Sequence, residues 1–458
     1  MMLVSEAATA LNASFTGADA VFTSVGADSR KIVPGQLFVA LKGEHFDGHD
    51  FAGAAIQQGA AAVLVAQPVK DAQPAIVAED TYQALGNLAA YWRSKFNMPI
   101  AGITGSSGKT TVKEMLASIL RADANPETVL ATQGNLNNHI GLPLTLLKLN
   151  AQHRYAVIEM GMNHTGEIAY LTRLTKPNVA LINNAGSAHL GELGSYEAIA
   201  KAKGEIFEGL TEDGIAVINA DDRFAPLWKT AIGSRKTLTF GLKNAADVSA
   251  KYTLQADGST LDITTPIGKA HVELPAPGLH NVMNALAATS AALAMGVDLP
   301  VIAAGLQQYA GVKGRLQSLP GLHNAQVIDD TYNANPISMR AAIDVLKAKP
   351  GKKLLVLGDI GELGPDAPAL HAEIGQYAKA AGIDALFTLG THSERMSMAF
   401  GAGAQHYPNV ETLAADLLKA MQTGSTVLVK GSRFMALERV VKEIVTKEVA
   451  AEKNGEAH

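Results

Sequence analysis

The stretch Gly102-Ile103-Thr104-Gly105-Ser106-Ser107-Gly108-Lys109-Thr110 decides the fold of this 458-residue chain. It begins inside a short apolar run, Ile100-Ala101-Gly102-Ile103, that reads as a strand. It opens a segment, Thr110–Arg121, with Val112, Met115, Leu116, Ile119 and Leu120 on one helical face. Glycines let successive backbone N–H groups converge on phosphate oxygens, and a helix N-terminus adds partial positive charge. Lys109 then neutralises the β- and γ-phosphates, and the Thr110 hydroxyl is a ligand for Mg²⁺. The spacing departs from G-x-x-x-x-G-K-[ST], because position 103 is Ile and the glycines recur at 102, 105 and 108. Strand, loop and helix in this order still predict a phosphate loop rather than an incidental glycine-rich turn.

Beyond the loop, apolar runs of strand length at Tyr155–Met160, Val179–Asn183 and Ile215–Asn219 alternate with helical stretches at Tyr196–Leu210 and Asn281–Gly296. That alternation predicts a parallel sheet covered by helices. A β-rich insert over Lys236–Leu274 interrupts it, with strands at Thr237–Phe240, Tyr252–Leu254, Leu261–Thr264 and Ala270–Leu274. Upstream, Leu37–Leu41 and Ala62–Val65 read as buried strands of a small α/β unit. Downstream, Gln326–Asp330, Lys353–Leu357, Ala385–Leu389 and Thr426–Val429 alternate with helices and predict a second doubly wound, Rossmann-like sheet. The expected organisation is α/β throughout, with domains at 1–80, 81–313 and 314–458.

Composition narrows the chemistry. Lys+Arg 38 against Asp+Glu 43 gives −5, too balanced and slightly too acidic for a nucleic-acid reader. The absence of cysteine excludes disulfides, thiolate metal sites and a cysteine nucleophile. No run reaches the roughly 18 apolar residues of a membrane span, and Met1–Asn12 lacks the basic start of a signal peptide. The expectation is a cytoplasmic protein, and nothing in the sequence demands more than a monomer.

Other residues carry weaker signals. Glu159 closes an apolar strand, where a carboxylate at the C-terminal end of a parallel strand faces the ligand crevice and holds Mg²⁺. His189 follows the next strand by one loop, and a lone histidine carries no assignment by itself. Lys201 and Lys203 lie on a predicted helix two residues apart, so they face different sides, and spacing does not choose between them.

Several strings together resemble the Mur ligases, the ATP-dependent amide-forming enzymes of peptidoglycan precursor synthesis. They are the phosphate loop with its unusual spacing, Gly278-Leu279-His280-Asn281-Val282-Met283-Asn284-Ala285, Asp28-Ser29-Arg30-Lys31 and Phe38-Val39-Ala40-Leu41-Lys42-Gly43. With them go Gly134-Asn135-Leu136-Asn137-Asn138, Ala202-Lys203-Gly204-Glu205-Ile206-Phe207, Asp329-Asp330-Thr331-Tyr332-Asn333-Ala334-Asn335-Pro336 and Lys430-Gly431-Ser432-Arg433. The Tyr-Asn-Ala-Asn core, and the lack of an Asp-Asn-Pro-Arg string, are similar to the branch that adds D-alanyl-D-alanine to UDP-N-acetylmuramoyl-tripeptide.

The resemblance implies that Lys109 and the backbone of Gly105, Ser106, Ser107, Gly108, Thr110 and Thr111 hold the ATP phosphates. It implies Asn281 on adenine, Arg315 on the γ-phosphate and Asp330 on the ribose. It also implies a pair of Mg²⁺ ions held by Thr110, Glu159, His189 and a carbamylated Lys203. Ser29, Arg30, Lys42 and Gly43 are implied at the uridine nucleotide, and Asn137 and Asn138 at the substrate's pyrophosphate or sugar. Lys109, His189 and Lys203 are the implied catalytic residues. A folylpolyglutamate synthetase-like ligase shares the central architecture but lacks the N-terminal uridine-binding domain, and residues 1–80 weigh against it. A non-catalytic nucleotide switch needs a partner-facing helix or coiled coil, which the sequence does not contain.

Overall fold

The computed structural model describes residues 1–186 and 190–446. Three bodies follow one another, each built on its own mainly parallel sheet. In the N-terminal body the strand order is Ser14–Thr16, Ala75–Val77, Ala62–Val65, Gln36–Val39, Ser24–Gly26. All neighbours except the first pair run parallel. Gln36–Val39 and Ala62–Val65 are buried at every position, as strands covered on both faces must be. The helix Thr81–Arg93 starts at an Asp80 cap, whose Oδ1 accepts from the Tyr82 and Gln83 N–H groups. Its Leu85 and Leu88 share one core with Leu37 and Leu64 before it and with Leu142 and Leu171 after it. Residue 80 therefore marks a change of sheet and not a break in packing.

The central sheet has six parallel strands in the order Lys236–Phe240, Ile215–Asn219, Val179–Ile182, Ile100–Thr104, Tyr155–Glu159, Val129–Ala131. The phosphate-loop strand is thus interior, and the chain leaves it to build on both sides. This makes its C-terminal end the crevice where open α/β sheets bind ligands. Glu159 is register partner to Ile103, and Ile182 to Thr104, so the loops after all three strands open at one level. The helix Lys109–Asp123 buries Val112, Met115, Leu116, Ile119 and Leu120 fully, each contributing about 1.5–3 kcal/mol relative to exposure.

The β-rich insert is smaller than its pattern suggests. Lys236–Phe240 pairs parallel with Ile215–Asn219 and is the edge of the main sheet. Only Ser249–Leu254, Ser259–Thr265 and Gly268–Leu274 form the separate antiparallel sheet.

The C-terminal sheet runs Gln317–Pro320, Gln326–Asp330, Thr426–Lys430, Lys353–Gly358, Ala385–Leu389, Ala404–Tyr407, parallel except at its first pair. Asp330 and Lys430 are register partners at the C-terminal ends of neighbouring strands. No helix among the described residues is long and apolar enough to cross a membrane.

Candidate active site

The phosphate loop rests on a bed of asparagines. The Ser106 N–H donates to the Asn184 carbonyl at 3.0 Å, and the Ser107 N–H donates to Asn184 Oδ1 at 2.9 Å. Asn183 Nδ2 donates to the Ser107 carbonyl and to Asn284 Oδ1, both at 3.0 Å. Gly108 has φ +76°, and a Cβ there would stand 2.4 Å from Asn284 Oδ1 and 2.6 Å from Asn183 Nδ2. Only glycine fits that position on both counts. Lys109 Nζ donates to the Gly105 carbonyl at 2.6 Å. Burial pushes its ammonium below the usual lysine range, and Arg315 adds to this while Glu159 opposes it.

Thr110 is where the two larger bodies meet. Its hydroxyl donates to Glu159 Oε2 at 2.8 Å and accepts from Arg315 Nη2 at 2.9 Å. Arg315 lies 205 residues further along the chain, and its guanidinium stacks on the Tyr332 ring at 4.2 Å. Arg315 Nε is buried with no hydrogen-bond partner among the described residues, which is costly unless an anion arrives to accept from it. The loop and these groups line a cavity of about 580 Å³, within the usual span for a bound small molecule.

Lys203 and Lys201 part company. Lys201 is exposed and forms an i,i+4 pair with Glu197 at 3.4 Å. Lys203, on the same helix Tyr196–Gly204, is 1% exposed, and no carboxylate of the described residues pairs with it. Burial holds its amine well below the ordinary lysine range, and the Lys109 charge pushes the same way.

On the C-terminal side, Lys430 Nζ lies 2.8 Å from Asp330 Oδ2 and donates to the Asn333 carbonyl at 2.8 Å. Asp330 Oδ1 accepts from the Leu316 N–H. His280 lines the same cavity, and burial together with Lys430 pushes its imidazole down to about 4. It is therefore neutral at ordinary pH. Asn281 is buried in the cavity wall with its amide donating to the Pro277 carbonyl.

The structure gathers Ser106, Ser107, Gly108, Lys109, Thr110, Thr111, Glu159, Asn281, Arg315 and Asp330 around one cavity. Asn137 joins them, with its amide donating to Glu159 Oε1 at 2.8 Å. Asn138 faces elsewhere, and its Oδ1 accepts from the Ile140 and Gly141 N–H groups. His189 lies outside the described residues.

Ser29, Arg30, Lys42 and Gly43 are not in this cavity. They follow two adjacent parallel strands, Ser24–Gly26 and Gln36–Val39, and so emerge at one edge of the N-terminal body. Arg30 is exposed and holds the Asp28 carboxyl down at about 2.

Sequence reasoning missed Asn183, Asn184, Asn284 and Tyr332 as parts of the site. The pair Asn183-Asn184 at the end of a parallel strand was the available signal.

The donor set can be tested against the groups it is expected to hold. Among the described residues no cluster of three or more His, Asp or Glu could form an all-protein metal cage. Glu159 and Thr110 instead offer a carboxylate and a hydroxyl beside the phosphate loop, which suits Mg²⁺ arriving with a nucleotide. The unpartnered Arg315 Nε and the Gly108 cradle suit the phosphates themselves.

A phosphate loop at the centre of a parallel sheet, completed by an arginine from a second nucleotide-type fold, defines a P-loop nucleotide-binding protein whose site is shared between domains. Three family models match the chain in succession. The Mur ligase middle domain matches residues 103–292, the Mur ligase glutamate ligase domain residues 314–433, and the Mur ligase family catalytic domain residues 21–93. The chain belongs to the Mur ligase family. It is 46% identical to the UDP-N-acetylmuramoyl-tripeptide–D-alanyl-D-alanine ligase of Escherichia coli (strain K12), over 95% of this chain and 96% of that protein. MurF from Acinetobacter baumannii superposes with a TM-score of 0.90 at 37% identity, covering 95% of this chain and 97% of that one. MurF from Thermotoga maritima in complex with ADP superposes with a TM-score of 0.83 at 30% identity, covering 95% and 99%.

Proposed function

We propose that this chain is an ATP-dependent ligase that joins D-alanyl-D-alanine to UDP-N-acetylmuramoyl-tripeptide, giving the pentapeptide, ADP and phosphate for peptidoglycan synthesis. The observation that carries this reading is the Arg315–Thr110–Glu159 contact between two domains, in a chain that is 46% identical to the Escherichia coli ligase. A carboxylate and an amine at neutral pH form a salt, so the acid must first be activated. A terminal carboxylate oxygen of the tripeptide attacks the γ-phosphorus, ADP leaves, and an acyl phosphate forms. The D-alanyl-D-alanine amine then adds to the acyl carbon, and the tetrahedral intermediate collapses with loss of phosphate.

The reading gives each residue a task. Two anions must approach, and Lys109 and Arg315 oppose their repulsion and stabilise charge on the transferring group. Glu159 and Thr110 are the residues that would hold Mg²⁺, which supplies further screening of the phosphate charge when bound. Asn281 and Asp330 take the adenosine, while Ser29, Arg30, Lys42 and Gly43 take the uridine nucleotide.

Carbamylation of Lys203 is part of the proposal. Carbon dioxide reacts only with a neutral amine, and burial supports that state here. The product is an anion, which turns the repulsion between Lys203 and Lys109 into attraction and adds a carboxylate-like group beside the phosphate loop. His189 is proposed as a further ligand of the same charge-screening set. All of these groups come from one chain, which supports a monomer, and the use of ATP with a UDP-linked precursor supports a cytoplasmic reaction. The test is phosphate release: it should require UDP-N-acetylmuramoyl-tripeptide and D-alanyl-D-alanine together, and release without either would overturn the reading.

A further inference from the structure

Glu159 is held at both oxygens, and the two donors belong to different parts of the chain. Thr110 donates to Oε2 from the phosphate loop, and Asn137 Nδ2 donates to Oε1, each at 2.8 Å. Asn137 is itself clamped. Its carbonyl accepts the Gly161 N–H at 2.8 Å, and a Cβ at Gly161 would stand 2.8 Å from Asn137 Oδ1. Glycine at 161 is what lets the amide approach the carboxylate two residues before it.

The two residues after Asn137 belong to a different space. Asn138 and His139 line a second cavity of about 260 Å³, and Gly161 lies in the walls of both cavities. The His139 ring packs on Tyr82 with centroids 5.7 Å apart, and the Tyr82 hydroxyl donates to the Lys42 carbonyl at 2.8 Å. A connected path therefore runs from the N-terminal loop at Lys42, through Tyr82 and residues 137–139, to the carboxylate beside the phosphate loop.

We infer that Asn137 is a positioning residue for Glu159, and that residues 137–139 couple filling of the second cavity to the readiness of the phosphate site. The inference rests on the ligase reading above, in which one substrate spans the N-terminal domain and the phosphate loop. Gly161 lines both cavities and donates its N–H to the Asn137 carbonyl, so a ligand seated against Gly161 in the second cavity bears on the segment whose side-chain amide aims Glu159. Nucleotide then binds more tightly when the UDP-peptide is present, and by linkage the UDP-peptide binds more tightly when nucleotide is present. ATP is less prone to cleavage while no phosphoryl acceptor is in place.

The test is calorimetric titration of the full-length protein with a non-hydrolysable ATP analogue and Mg²⁺, with and without saturating UDP-N-acetylmuramoyl-tripeptide. Wild type should bind the analogue about tenfold more tightly with the UDP-peptide present, within the ordinary range of coupling between sites. Asn137→Ala should reduce that ratio to under about twofold, whatever its affinity for the UDP-peptide alone. A merely structural loss would lower both affinities and leave the ratio alone. Tyr82→Phe keeps the ring and removes only the hydroxyl, and should reduce the ratio to about threefold. If Asn137→Ala does not fold, as read by thermal melting, Tyr82→Phe decides by itself. An unchanged ratio in the folded variants, or no coupling in a wild-type enzyme that does ligate, would overturn the inference and leave the ligase reading intact. A wild-type protein that does not bind the UDP-peptide at all would overturn both.

Discussion

Replacing Gly108 by alanine tests whether the asparagines beneath the phosphate loop set its shape. Gly108 sits at φ +76°, and a Cβ there would lie 2.4 Å from Asn284 Oδ1 and 2.6 Å from Asn183 Nδ2. Left-handed backbone costs an L-residue about 1–2 kcal/mol. The two asparagine groups are bonded to each other at 3.0 Å, so retreat breaks a buried hydrogen bond and adds about 1–3 kcal/mol. The expected loss of stability is therefore roughly 2–5 kcal/mol, against a typical total of about 5–15 kcal/mol. If the loop lifts instead to relieve the clash, its amides leave the phosphates, and a shift of about 1 Å at a reacting centre costs on the order of 100-fold in rate.

Gly296→Ala is the matched control. Gly296 has φ +83° with nothing within 4 Å of a Cβ, so it should show the dihedral strain of about 1–2 kcal/mol and wild-type nucleotide binding. Urea unfolding and calorimetry with ADP read the two quantities. A Gly108→Ala protein as stable as Gly296→Ala, with unchanged ADP affinity, would show that the asparagines do not set the loop's shape.

Lys109→Ala should abolish ligation while the melting temperature stays within a few degrees of wild type, because the lost contact is one hydrogen bond to the Gly105 carbonyl. Ligation near the wild-type rate would remove the loop from the mechanism. Lys203→Ala should collapse activity, with partial rescue by short exogenous carboxylates. Lys201→Ala should cost no more than about 0.5 kcal/mol in stability and leave the rate alone, as for an exposed i,i+4 pair. Parallel kinetics at fixed Mg²⁺ check this, and two healthy variants would exclude a carbamate. His280 titrates at about 4 when folded and near 6.5 in an unfolded chain. Between those values only the unfolded chain takes up the proton, so stability falls as pH drops through that window, by at most about 3 kcal/mol. Urea midpoints at neutral pH and near pH 4.5 should differ less in His280→Gln than in wild type.

The phosphate loop was legible because glycine spacing, an apolar strand and an amphipathic helix all point the same way. The strand-end Glu159 was legible for a similar reason, since its position follows from the apolar run before it. Lys201 and Lys203 could not be separated by a two-residue offset, and it is burial of one and solvation of the other that distinguishes them. Lys236–Phe240 was grouped with the insert because a short run does not reveal its neighbour, and here the partner is a parallel strand of the main sheet. After Ala385–Leu389 come the short helix Glu394–Phe400 and the strand Ala404–Tyr407, neither of which the sequence pattern revealed. That strand reads Ala-Gln-His-Tyr, too polar to announce itself. The asparagine bed was hidden for another reason: Asn183 and Asn284 meet across 101 residues, and no local pattern encodes such a contact. Asn137 was assigned to the substrate from its string, and its hydrogen bond to Glu159 emerges only when Gly161 brings the two loops together.

In the proposed reaction the tripeptide carboxylate is activated as an acyl phosphate in the site shared by Lys109, Glu159 and Arg315. This step is tested most directly with UDP-N-acetylmuramoyl-tripeptide carrying ¹⁸O at both oxygens of the terminal carboxylate, with ATP, Mg²⁺ and D-alanyl-D-alanine. Attack of that carboxylate on the γ-phosphorus leaves a labelled oxygen bridging acyl carbon and phosphorus, and it departs with phosphate when the amine displaces it. Mass spectrometry should find one labelled oxygen in the phosphate released for each pentapeptide formed. Pentapeptide formed alongside unlabelled phosphate would contradict the account.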